Sequence, residues 1–182
     1  MSGIFKGLRR AFGMQITRYR FRKSQDKIIS FTRAFSDARD VLVVMPFDRS
    51  QLLNTVFVID LLRRTFREEN LTFVVSEKNQ ELRRMMPESQ IIPVMNSGHT
   101  VLFLPHPDLL ARVTKKSYDA AIDLNLDFLL PSAYICKASN ARVRIGFARK
   151  GADLFFNFQV HTAPSLEGKE AFDRLAGCLQ KF

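Results

Sequence analysis

Apolar positions change their spacing at Asp40. Over residues 4–19 they recur every three or four residues. From residue 41 onward, short continuous apolar runs alternate with segments of helical period. Val41–Met45 is rich in β-branched residues, too short for a helix and apolar on both faces, which predicts a buried parallel strand. Pro46–Ser50 reads as a loop. Leu52, Leu53, Val56, Ile59, Leu62 and Phe66 then fall at helical spacing, with Arg63, Arg64 and Arg67 suiting the negative end of the helix dipole. Leu71–Val75 predicts a second strand, Lys78–Met86 a short helix, and Gln90–Met95 a third strand beside Pro87 and Pro93. Asn96, Ser97 and Gly98 are turn residues, followed by a looser apolar stretch at Val101–Leu104. Pro107 opens a helix to about Lys116. Ala120–Leu124 is the fourth major strand, and Phe128–Lys137 a helix that must hold Pro131 in its first turn. Arg142–Phe147 and Leu154–Val160 complete six strands. Ser165 caps a last helix whose Leu166, Phe172, Leu175, Ala176 and Leu179 share a face. The alternation predicts an α/β domain over residues 40–182 with a doubly wound, mostly parallel sheet. There are too few strand–helix units for a closed barrel.

Residues 1–39 form a separate leader. At helical period Ile4, Leu8, Ala11, Phe12, Ile16 and Tyr19 make one stripe with Phe5 at its edge, while Lys6, Arg9, Arg10 and Arg20 lie on the other side. Gly3, Gly7 and Gly13 weaken this basic amphipathic helix. Charge sharpens the division. Of the net +10, the leader carries +8, from ten basic residues against Asp26 and Asp37, and the remaining 143 residues carry +2. Lys6, Arg9, Arg10, Arg18, Arg20, Arg22 and Lys23 are the candidate binders of an anionic surface. Three occupants suit them: a membrane surface, an acidic partner, or the leader's own domain, on which the stripe would pack. Nucleic acid has charge alone in its favour, with no aromatic–basic module. A secretory signal is excluded by the missing apolar core, and a mitochondrial transit peptide is disfavoured by the scarcity of Ser. No apolar run approaches the roughly 18 residues that span a bilayer. These features predict a cytoplasmic chain, peripheral at the inner membrane if the leader binds lipid.

The composition, 46% hydrophobic with 8 Gly and 7 Pro, is that of a globular chain and excludes disorder. Cys136 and Cys178 match no zinc, redox or disulfide spacing and read as packed thiols. His99, His106 and His161 are scattered, with no second ligand at helical spacing, so no metal or cofactor is expected. GxGxxG, Walker and GxSxG sequences are absent. In an open sheet, ligands bind beyond the C-terminal strand ends. That directs attention to Pro46–Gln51, Ser76–Asn79 and Asp123–Asp127. On an extended strand Asp123, Asn125 and Asp127 would share a face and accept bonds from substrate hydroxyls or hold a cation, though the calcium-loop Gly and distal Glu are missing. Alternatively Asp123 ends a strand and Asp127 caps the next helix.

The order of motifs is more specific. Tyr118-Asp119-Ala120-Ala121-Ile122-Asp123-Leu124, a helix, then Arg144-Ile145-Gly146-Phe147 resembles the YDxxIDL and RIGF strands of the lipopolysaccharide heptosyltransferases, glycosyltransferase family nine. Asp40–Met45, Val58–Phe66 and the closing helix Glu170–Gln180 are similar to the same family's N-terminal domain, so the resemblance spans about residues 40–182. It implies a Rossmann-like half of a GT-B enzyme that receives a lipid-linked acceptor, and a second, nucleotide-sugar domain that this chain stops short of. It also implies a general base, an Asp after Gly in the first loop. Gapless alignment back from Phe66 puts Ser50 and Gln51 at that pair, and a glutamine amide cannot accept the proton. Asp48, three residues earlier, substitutes only if the loop rearranges. Two functions follow as expectations. One is a catalytically degenerate acceptor domain in envelope glycan synthesis, active only with a separate nucleotide-sugar-binding chain. The other is a non-catalytic binding or scaffold protein attached through its leader to a membrane, RNA or larger assembly.

Overall fold

A computed structural model describes residues 2–24, 26, 28–79, 89–95, 99–163 and 168–182. Six strands form one all-parallel sheet: β1 (Val41–Val44), β2 (Leu71–Ser76), β3 (Gln90–Val94), β4 (Ala120–Asp123), β5 (Val143–Phe147) and β6 (Phe158–Val160). Their spatial order is β3-β2-β1-β4-β5-β6, the doubly wound Rossmann order, whose direction of winding reverses between β1 and β4. Val41 pairs with Leu71 on one side and Ala120 on the other, so β1 is central. Among the described residues the helices are α1 (Ser2–Phe21), α2 (Phe31–Ser36), α3 (Val56–Thr65), α4 (Pro107–Val113), α5 (Leu130–Ala138) and α6 (Lys169–Leu179).

Side chains alternate across a strand, and the continuous apolar runs therefore feed two cores. Val41, Val43, Phe73, Ile122 and Ile145 pack with α2, α3 and α6. Leu42, Val44, Val74 and Ala121 pack with α4 and α5 on the other face. The packed residues begin before Asp40, since Phe35 and Ala38 are buried in the first core. Edge strand β3 contains Pro93, whose missing N–H an edge tolerates, and Arg112 of α4 donates to the Pro93 carbonyl at 2.8 Å.

Several boundaries differ from those read in the sequence. The helix α3 begins only at Val56 and is preceded by a 3-10 stretch, Arg49–Thr55, with Asp48 as its cap. Pro131 does sit in the first turn of its helix, and the Pro107 helix ends at Val113. The sixth strand is only Phe158–Val160, because Gly151, in the left-handed region at φ 92°, opens a turn that sends Phe155 and Phe156 inward. Glu77–Asn79 is a 3-10 turn. The rest of the Lys78–Met86 helix, the Asn96–Gly98 turn, and Ser165 and Leu166 lie outside the described residues.

The motif glycine has a steric role. A Cβ on Gly146 would lie 2.7 Å from the nearest ring carbon of buried Phe156. Gly146→Ala is expected to cost about 1–3 kcal/mol by overpacking, seen as a lower midpoint in urea unfolding. An unchanged midpoint would mean that the ring can move aside.

The leader helix α1 docks on the domain with a face other than its apolar stripe. Gly13 and Thr17 are buried, Met14 packs against the second core, and the Phe21 ring lies 5.1 Å from that of Tyr134 on α5. The approach at Gly13 is so close that a Cβ there would stand 2.0 Å from the Leu102 carbonyl oxygen. The apolar stripe does not pack on the domain: Phe5, Leu8, Phe12 and Tyr19 are 61–68% exposed. Small residues permit the close helix contact, and apolarity is left over on the opposite side.

Past α1 the chain is fastened by charge. Asp26 accepts from the buried Lys137 Nζ at 3.1 Å and from the buried Arg144 guanidinium. Arg144 also donates to the carbonyls of Phe155 and Ala141, at 2.7 and 2.6 Å. Burial alone would raise the Asp26 pKa, but the bonds and charges of Lys137 and Arg144 outweigh it and hold the carboxyl below its usual value.

Candidate functional site

The reversal of winding between β1 and β4 parts the chain at their C-terminal ends and leaves a cleft there. Its volume is about 740 Å³, and its polar lining includes Asp48, Gln51, Asn125, Asp127, Arg149 and Thr162. The loop after β1 supplies Asp48 and Gln51. Asp48 accepts from the Ser50 N–H at 3.0 Å and so caps the 3-10 stretch. Gln51 accepts from the Asn54 amide at 3.2 Å through its side-chain oxygen. Both side chains stand at the cleft.

Of Asp123, Asn125 and Asp127, the last two line the cleft, and Asp123 is buried outside its lining. Asn125 is a buried clasp between the two central strand ends. Its Oδ1 accepts from the Phe47 N–H at 2.9 Å, and its Nδ2 donates to the Met45 carbonyl at 3.3 Å and to Asp123 Oδ1 at 2.7 Å. Asp123 is buried and also accepts the Asn125 backbone N–H at 3.0 Å. Burial, the dominant influence, pushes its pKa up to about 6, against bonds from Asn125 and Ser132 that favour the charge. Burial also pushes the neighbouring Cys136 thiol well up, with the Asp123 charge adding to it, so this cysteine is an inert core residue. Asp127 is exposed on the cleft wall. It does not cap α5, whose cap position is Leu129.

The cations of the cleft come from strand ends that the sequence reading passed over. Arg149 follows β5 and donates to Thr162 Oγ1 at 3.1 Å and to the Ala148 carbonyl at 2.8 Å, which fixes its guanidinium. Lys150 beside it is exposed. Their signal was positional: both lie just beyond the C-terminal end of a strand adjacent to β4. Ser76, Glu77 and Asn79, by contrast, do not line the cleft.

A second hollow of about 510 Å³ adjoins the first at Leu129 and runs under α1, between Lys6, Arg10, Phe47, Phe103 and Pro131. Arg10 donates to the Phe128 carbonyl at 2.7 Å, and its guanidinium lies 5.7 Å from the centre of the Phe128 ring. Arg20 and Arg22 lie over the rings of Tyr134 and Tyr19, at 6.0 and 3.9 Å. Arg9, Arg18 and Lys23 are exposed. His99 stacks on Phe103 at 4.7 Å, His106 precedes α4, and His161 is exposed after β6. Among the described residues no three His, Cys, Asp or Glu side chains cluster as metal ligands would.

The motif residues themselves are architectural. Asp119 accepts from the N–H groups of Arg39 and Asp40, at 2.9 and 3.2 Å, and from Arg142 at 3.1 Å, joining the entries to β1, β4 and β5. Burial opposes its charge, but these bonds prevail and its pKa is lowered.

No family model matches the sequence, and no curated protein matches it. Solved structures do match the fold. Over 79% of this chain it is similar to Escherichia coli heptosyltransferase WaaC with ADP-2-deoxy-2-fluoro heptose, at TM-score 0.60 and 20% identity, and to the same enzyme with ADP, at 0.57 and 18%. A glycosyl transferase family 9 structure from Veillonella parvula matches over the same share at TM-score 0.58 and 17% identity. The chain covers 40–49% of the length of these structures. The likeness shows a Rossmann-like fold of the kind found in glycosyltransferases of this family.

Proposed function

We propose that this chain is a heptosyltransferase-like acceptor half, binding an acidic sugar acceptor of envelope glycan synthesis at the β1/β4 cleft without supplying a general base. The observation that carries the reading is the lining of that cleft: a fixed Arg149 and an exposed Lys150 face the loop that holds Gln51. Two cations at a polar cleft suit a carboxylated or phosphorylated sugar. Activating an acceptor hydroxyl needs a group that takes a proton, and the Gln51 amide is not one. Asp48 is occupied in capping the 3-10 stretch. The half would meet a nucleotide-sugar domain across the rim beside Gln51, where Leu53, Val56 and Phe57 leave an apolar step on the surface.

Titration of the full chain with an acidic core oligosaccharide is expected to show binding that Arg149→Ala weakens about tenfold, the worth of one charge-assisted contact. With a nucleotide-sugar domain added, transfer should be negligible until Gln51→Asp is introduced, which should raise it by about 100-fold or more. Absence of oligosaccharide binding would overturn the reading. Transfer by the unaltered chain that disappears in Asp48→Asn would move the base to Asp48 and overturn the degeneracy.

A further inference from the structure

The leader helix has two opposite faces, and the domain uses one of them. Gly13, Met14, Thr17 and Phe21 face the domain. At 3.6 residues per turn, Phe5, Leu8, Phe12 and Tyr19 lie roughly half a turn round from them. Their exposures are 62, 68, 61 and 66%, so they form an outward apolar ridge. The ridge is about 21 Å long at 1.5 Å per residue. The same geometry sets Arg9 and Arg20 along one flank and Arg18 along the other, and α1 contains no acidic residue.

From this arrangement we infer that α1 is an interfacial anchor, which seats its Phe5-Leu8-Phe12-Tyr19 ridge in the surface of an anionic bilayer. Three observations favour lipid. The ridge is convex and cation-flanked on both sides, which fits a deformable layer of apolar chains beneath anionic headgroups. A second copy of the chain would set arginine rows against arginine rows, and like charges repel. Nucleic acid would use the cations but give Phe5, Leu8 and Phe12 nothing apolar to bury. No helix among the described residues is long and apolar enough to cross a membrane, so α1 lies in the plane of the surface. This inference is independent of the chemistry assigned to the cleft.

The chain contains no Trp, so a single Trp placed on the ridge is a clean reporter. The full chain is mixed with vesicles of phosphatidylcholine containing phosphatidylglycerol, and with phosphatidylcholine alone, at low salt. The anchor predicts flotation with the anionic vesicles only, and a blue shift of Phe12→Trp emission on binding. Phe12→Glu, at an exposed position that the fold does not need, should reduce vesicle binding at least about tenfold, as expected for losing one buried aromatic side chain. Circular dichroism checks that this variant stays folded. Failure of the unaltered chain to float, an unshifted Trp emission, or binding by Phe12→Glu equal to that of the unaltered chain would each overturn the inference. So would a dimer in sedimentation that Phe12→Glu dissociates, because the ridge would then be a protein interface.

Discussion

Replacing Arg144 with alanine is expected to destabilise the domain by about 3–5 kcal/mol, the cost of removing one partner from a buried charge network. In urea unfolding followed by circular dichroism this should appear as a midpoint shift of more than about 1 M. The size follows from the number of groups left behind. The carbonyls of Phe155 and Ala141 lose a charged donor, and Lys137 and Asp26 are left to pair alone. Asp26→Asn should cost much less, because its carboxylate is 38% exposed and water screens its interactions. A small effect at Arg144, no larger than at Asp26, would mean that the guanidinium is not the centre of this network.

The second large effect is a dependence on pH with an unusual sign. Asp26 and Asp119 have lowered carboxyl pKa values, so the stability they contribute is present above the ordinary carboxylate range and lost as pH falls through their folded-state values. Asp123 works the other way. Its folded-state pKa, about 6, stands above the ordinary 3.8, so its contribution is full below that ordinary value and is lost as pH rises through 6. At about 1.4 kcal/mol per unit, charging Asp123 in place should cost about 3 kcal/mol by pH 8. Asp123→Asn keeps the Oδ1 that accepts from Asn125 and removes the charge. It is therefore expected to be more stable than the unaltered chain at pH 8 and to lose that advantage at pH 4. Parallel stability–pH curves for the two proteins would sink this account.

Strands β1, β2 and β4 were legible in the sequence because each is a largely apolar run buried on both faces, and β5 because Val143, Ile145 and Phe147 alternate along it. The register of the family-like motifs was legible for the same reason. What those motif residues do was not. Asp119, Asp123, Arg144 and Gly146 carry the family resemblance, and they join strand entries, clasp strand ends, fasten the leader and make room for Phe156. Alternation along an extended strand placed Asp123, Asn125 and Asp127 on one face, but the strand ends at Asp123 and the turn directs Asn125 back into the fold. The docked face of α1 was hidden for a different reason. Hydrophobic periodicity weighs side chains, and this helix is held close by the lack of one at Gly13. Arg149 and Lys150 became visible only with the strand order, which puts the ends of β5 and β6 beside the β1/β4 opening.

The opposition of the two faces of α1 also makes the helix a spacer. The hollow that begins at Lys6, Gly7 and Arg10 lies on the domain side of the helix, and the ridge lies on the other. One helix diameter, about 10 Å, separates them. With the ridge seated in a lipid surface, the hollow is held at that height above it, and the cleft that it joins at Leu129 stands further along the same path. A membrane-borne molecule would then be selected by how far its polar part projects as well as by its charge.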